Sequence, residues 1–80
     1  MSAAEIERVI LQVSGVKEVA VVAKSDSMRG QVPVAFVIKD DEEISSRLSA
    51  SIVKRCQNTL SDFKVPNDVR IVSSLSLIHI

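Results

Sequence analysis

Apolar residues recur along the chain at distinct spacings, and each spacing predicts an element. Between Ser2 and Val13, the residues Ile6, Val9, Ile10 and Val13 fall at i, i+3, i+4 and i+7, one stripe of an amphipathic helix. Ser2 and Glu5 stand ahead of the stripe in the S-x-x-E spacing of a capping box, where each side chain meets a backbone N–H left over at the helix start. Gly15 sits where a left-handed residue would end that helix. Lys17 to Ala23 then predicts a strand, with Val19, Val21 and Ala23 on one face and Ala20 and Val22 on the other. Both faces are apolar, so this strand is expected in the middle of a sheet, covered on both sides.

Residues 24–30, K-S-D-S-M-R-G, form a polar turn, and Gln31 to Lys39 predicts a second strand with Val32, Val34, Phe36 and Ile38 on one face. Pro33 has no N–H to give to a ladder, so its nitrogen should face an edge or a bulge. So short a connection fits an antiparallel pair, since a parallel crossover takes about a dozen residues or more. Asp40 to Glu43 is an acidic turn, and Ser45 or Ser46 can cap a second helix running to about Leu60. Leu48, Ile52, Cys56 and Leu60 repeat every four residues as its buried stripe, with Val53 alongside. Asp62 to Pro66 reads as a loop and Val69 to Ser73 as a short third strand. The order helix, strand, strand, helix, strand is an α+β pattern: a small two-layer sandwich with helices packed on a three-stranded sheet.

Composition narrows what such a domain can do. With 46% hydrophobic residues in 80, the chain is too apolar for disorder and long enough for one domain only. Ten basic against ten acidic residues leave no basic stripe, and Phe36 and Phe63 are the sole aromatics, which argues against nucleic acid as a partner. The longest apolar run, Val32 to Ile38, falls far short of the roughly 20 residues of a transmembrane segment. Glu5, Glu7 and Arg8 follow Ala3 and Ala4 at once, so no signal-peptide core is visible. A single cysteine makes no internal disulfide, which favours a reducing, cytoplasmic setting. One His and one Cys supply no zinc-ligand set.

Few residues invite chemistry. Cys56 lies on the apolar stripe and reads as a core thiol, and His79 lies in the terminal Leu77-Ile78-His79-Ile80. The carboxylates of Asp40 to Glu43 read as a solvated turn ahead of a helix start. No Walker loop, G-x-S-x-G or catalytic carboxylate pair occurs. In the turn at Asp26 to Gly30, the glycine permits a tight bend and Arg29 at the tip can pair with a phosphate, though a plain turn remains open. In Phe63-Lys64-Val65-Pro66 an aromatic and a cation stand beside a rigid proline, and Phe63 can equally close the core. The residues by themselves reach a small soluble α+β domain and no further.

Four segments in order carry a resemblance: Ser2-Ala3-Ala4-Glu5-Ile6-Glu7; Val16-Lys17-Glu18-Val19-Ala20-Val21-Val22; Asp26 with Arg29-Gly30-Gln31 and Val34-Ala35-Phe36-Val37; and Phe63-Lys64-Val65-Pro66. Over residues 2–75 the chain resembles the small C-terminal subdomain of the adenylate-forming enzymes, the acyl-CoA synthetase group. The resemblance implies a ligase in which a large N-terminal adenylation domain holds most of the ATP and acyl pocket, with Mg2+ outside this chain. A carboxylic acid and ATP give an acyl-adenylate and pyrophosphate; the small subdomain then swings on a hinge and the acyl group passes to the thiol of CoA. It further implies that Arg29, Gly30 and Gln31 lie near the CoA nucleotide, that Phe63 packs on adenine and that Lys64 lies near the phosphates. Val65 stands where some relatives carry a basic residue.

Two departures bear on activity. The family's hinge motif immediately precedes the segment matched by Ser2 to Glu7, where this chain has Met1. The family's catalytic lysine follows the third strand in a P-x-x-x-x-G-K-like stretch, whereas here Ser76-Leu77-Ile78-His79-Ile80 follows and no lysine comes after Lys64. The expectation is a fragment, domain over 1–75 and a foreign tail over 76–80, with no catalytic residue or metal ligand, no ATP or CoA held by itself and no adenylation. Two other roles stay open: a stand-alone, non-catalytic interaction module of the same fold, and a subdomain serving a carrier-protein acceptor.

Overall fold

A computed structural model describes residues 3–61 and 64–75. The element order is α1 (Ala3–Leu11), β1 (Val16–Asp26), β2 (Gly30–Lys39), α2 (Ser45–Thr59) and β3 (Asp68–Ile71). This is the expected α+β order, with three strands in one sheet and two helices.

The first stripe is buried as its spacing requires: Ile6 and Ile10 are fully enclosed, and Val9 and Val13 nearly so. The helix is shorter than expected. After Leu11 the bonds Gln12 N–H to Val9 O and Val13 N–H to Ile10 O span three residues, and the last turn tightens out of the α-helix. Ser2, half of the expected capping box, lies outside the described residues. Gly15 does have positive φ, +98°, but four positions beyond the helix it shapes the approach to β1 rather than the helix end. Its carbonyl accepts the Asp40 N–H at 2.9 Å, tying the end of β2 to that approach.

β1 and β2 pair antiparallel, as the short connection demands, and β2 and β3 pair parallel across α2. The strand order β1-β2-β3 overturns the expectation that β1 is central. β2 holds the middle, with Val32, Pro33, Val34, Ala35 and Val37 all buried, whereas Ala23, Lys24 and Ser25 of β1 are exposed. The apolar run of β1 misled because one face is covered by helices and the other only half-covered, at Ala20 and Val22. Its open edge is treated by a carboxylate instead: Glu7 Oε2 accepts the Val21 N–H at 2.9 Å.

Pro33 sits well in this central strand. Its carbonyl faces the β3 side and accepts the Asn67 N–H, and the ladder with β3 starts only at the next residue, Val34 opposite Asp68. The missing proline N–H therefore falls where no partner asks for it.

α2 begins without a serine cap. Ile44 is the N-cap residue, in extended backbone, and no side chain caps it. Its carbonyl already accepts the Leu48 N–H at 2.9 Å, which places both Ser45 and Ser46 inside the helix. The stripe Leu48, Ile52, Cys56 and Leu60 is buried throughout and meets Ile6 and Ile10 of α1 over Val21, Ala35 and Val37 of the sheet. Val65, Val69 and Ile71 pack at its margin.

Candidate functional site

The β1–β2 hairpin outreaches the rest of the sheet. β3 begins opposite Val34, and the hairpin continues through Ala23 opposite Pro33, Lys24 opposite Val32, and Ser25 opposite Gln31 to Asp26 opposite Gly30. Four further residues per strand make an arm of about 13 Å at 3.3 Å per residue.

Only Ser27, Met28 and Arg29 bridge the tip. One oxygen organises them: Asp26 Oδ1 accepts the Met28 N–H at 2.8 Å and the Arg29 N–H at 3.0 Å. Those two donors, Met28 first, hold the Asp26 carboxyl below its ordinary range. Desolvation opposes them, and weaker attraction to Arg29 and Lys24 adds to the lowering. Gly30 then turns the chain back at φ +82°, a conformation side chains resist, and the Gln31 N–H closes on the Arg29 carbonyl at 3.1 Å. The result is a fixed tip with Arg29 in solvent and Met28 93% exposed.

The loop after α2 comes to the same end of the molecule. α2 runs toward the hairpin tip, and the loop re-enters the sheet beside the base of the arm, where Asn67 donates to Pro33 at 2.8 Å. The Lys64 N–H closes a turn on the Ser61 carbonyl at 2.8 Å. Lys64 Nζ donates to Glu5 Oε2 at 3.1 Å, linking the loop to the first turn of α1. Val65 packs against the core.

Of the residues singled out in the sequence, Arg29, Gly30 and Lys64 thus share one end of the fold, and Phe63 and His79 lie outside the described residues. Cys56 is fully buried, and desolvation pushes its thiol up, which suits packing and not nucleophilic attack. Around the acidic turn, Glu43 N–H bonds to the Asp40 carbonyl; among the described residues no group of three His, Cys, Asp or Glu is placed to hold a metal. No helix among them is long and apolar enough to cross a membrane.

Two functional neighbours were missed in the sequence. Asp26 as organiser of the tip had a local signal, an Asp two and three residues before the amides it binds. Glu5 as the partner of Lys64 had none, because 59 residues separate them. Chemically this end offers an exposed guanidinium on the tip and, at the base of the arm, an ammonium bonded to Glu5, charges of a kind suited to phosphate groups.

Comparison with known proteins gives the same answer from three directions. A family model for the AMP-binding enzyme C-terminal domain matches residues 5–79. A 2-succinylbenzoate–CoA ligase of Listeria monocytogenes is 41% identical over 73 residues, covering 89% of this chain and 14% of that protein. A long-chain-fatty-acid–CoA ligase of Mycobacterium tuberculosis is 41% identical over 66 residues, covering 82% of this chain and 12% of its own length. The crystal structure of an anthranilate CoA ligase in complex with anthranoyl-AMP superposes with a TM-score of 0.85 at 30% identity, over 98% of this chain and 15% of that one. The chain spans about 14% of the length of the first curated relative, and the part it matches is in each case a part of a CoA ligase. By the family model, the sequence identity and the superposed fold together, this chain belongs to the AMP-binding enzyme C-terminal domain family.

Proposed function

We propose that this domain is the mobile C-terminal subdomain of an ATP-dependent acyl-CoA ligase and presents the CoA-side surface during thioester formation. In the complete ligase, a large N-terminal domain joins a carboxylic acid to ATP, giving an acyl-adenylate and pyrophosphate with Mg2+ held outside this chain. The acyl group then passes to the CoA thiol and AMP leaves. Rotation of a small domain lets one pocket serve both steps. Arg29 at the tip meets a CoA phosphate, and Gly30 lets the backbone turn beneath it. Lys64 adds a second positive charge, and Phe63, its chain neighbour, supports the adenine ring. An ammonium has three donors, so the bond to Glu5 does not bar Lys64 from a phosphate.

The observation that carries this reading is that the hairpin arm and the Lys64 loop lie at one end of the fold, the loop meeting the base of the arm where the Asn67 N–H donates to the Pro33 carbonyl. The relatives named as CoA ligases favour CoA as the acceptor over a carrier protein.

The test is made in the complete ligase. Arg29→Ala is expected to raise the KM for CoA about five- to tenfold, the effect of one charge-assisted contact, with ATP–pyrophosphate exchange unchanged. The rise should shrink at high salt. Equal loss in both half-reactions overturns the assignment.

A further inference from the structure

We infer that Asp26 is a positioning residue for CoA capture: its carboxylate holds the Met28 and Arg29 amides and so fixes the direction in which Arg29 meets the nucleotide phosphates. The inference rests on the CoA-side reading of Arg29 proposed above.

The geometry that supports it is local and complete. Arg29 stands at the end of an arm that β3 does not flank, and no core residue belongs to the tip. Packing therefore cannot set the backbone at Arg29. Two bonds to a single oxygen, Oδ1, do so from one side. From the other side Gly30 supplies the left-handed turn, and no atom lies within 4 Å of where its Cβ would be, so steric walls play no part there. The tip is thus held by hydrogen bonds to one side chain, by the Gln31 N–H on the Arg29 carbonyl and by glycine, in open solvent.

A negative group three residues from a phosphate-binding cation would normally weaken it. Here the carboxylate is spent inside the loop: Oδ1 is turned to two backbone N–H groups, whose donors are the strongest influence on it. Asp26 therefore acts on Arg29 chiefly through the loop backbone, its attraction for the guanidinium being a lesser influence. An arginine on a loosened loop reaches the productive direction for only a fraction of the time, and apparent affinity falls by that fraction.

Three variants and their combination test this. In the 80-residue chain, Asp26→Ala should speed hydrogen exchange at the Met28 and Arg29 amides, and Asp26→Asn, whose side-chain oxygen can accept the same bonds, should leave it slow. In the complete ligase, Asp26→Ala should raise the KM for CoA about fivefold and by no more than Arg29→Ala does, Asp26→Asn should stay within about twofold of wild type, and ATP–pyrophosphate exchange should not move. In the Arg29→Ala background, Asp26→Ala should add nothing, because its effect passes through Arg29. If Arg29→Ala raises the KM for CoA and Asp26→Ala does not, the positioning role fails and the CoA-side reading stands. An Asp26→Ala effect that adds in full to Arg29→Ala also overturns it. If Arg29→Ala itself leaves the KM unchanged, the CoA-side reading fails and the inference falls with it.

Discussion

A side chain at position 15 has nowhere to go. A Cβ built on Gly15 would lie 2.5 Å from Cδ of Glu43, and the backbone there is at φ +98°. Gly15→Ala is therefore opposed twice, by a left-handed conformation and by a carboxylate side chain. Glu43 is long and flexible and can retreat, but the backbone cannot, because the Gly15 carbonyl holds the Asp40 N–H at 2.9 Å. We expect a loss of about 1–2 kcal/mol in urea unfolding, with Glu43→Ala recovering only a minor part of it in the double variant. Full recovery would show that contact with Glu43, and not backbone strain, is the dominant cost. The same logic separates the two glycines: Gly30 has positive φ but open space around it, so its substitution meets conformational strain alone.

At the scale of elements, the edge of β1 shows how one side chain replaces a neighbouring strand. Val21 N–H points away from β2, and Glu7 on α1 accepts it. Glu7→Ala should expose that donor, cost on the order of 1 kcal/mol of stability, and raise the exchange rate of the Val21 amide above that of its strand neighbours. An unaltered Val21 amide would show that α1 packing, and not the carboxylate, protects this edge. That bond also marks where sequence reading reached its limit. Helical stripes were legible because each apolar residue on one face met a core, so Ile6 to Val13 and Leu48 to Leu60 are buried as their spacing demands. Strand position was not legible from β1, since the alternation of Val19 to Val22 fixes two apolar faces but carries no record of what lies at the edges. The second helix start was lost for a related reason: a serine ahead of an apolar stripe is a cap only if the first intrahelical bond begins there, and Ile44 takes that bond. In the site, the turn itself was legible from Gly30 and Arg29, and the Asp26 bonds that organise it, though missed, left a local signal because they span two and three residues, whereas the Glu5–Lys64 pair depends on the whole fold to bring its partners together.

Over the whole molecule, the topology sorts residues to two ends. The approach to β1 at Gly15, the acidic turn and the exposed Ile44 lie at one, and the Arg29 tip and Lys64 loop lie at the other. Between them is a packed core in which, among the described residues, Cys56 is the one titratable member, and burial raises that thiol. Adenylation needs positive charge placed over the phosphates of ATP beside an activated carboxylate, and electrostatic stabilisation of that kind depends on an enclosed, preorganised site. Lys64 is bonded to Glu5 at the outer end of the fold, Arg29 stands in open solvent, and no lysine follows Lys64 in the sequence. We therefore expect these 80 residues alone, given ATP, Mg2+ and a carboxylic acid, to show no ATP–pyrophosphate exchange above background. Exchange at a rate that Arg29→Ala or Lys64→Ala abolishes would overturn the assignment of this chain to the CoA-side half of a ligase and would place adenylation chemistry on the exposed end itself.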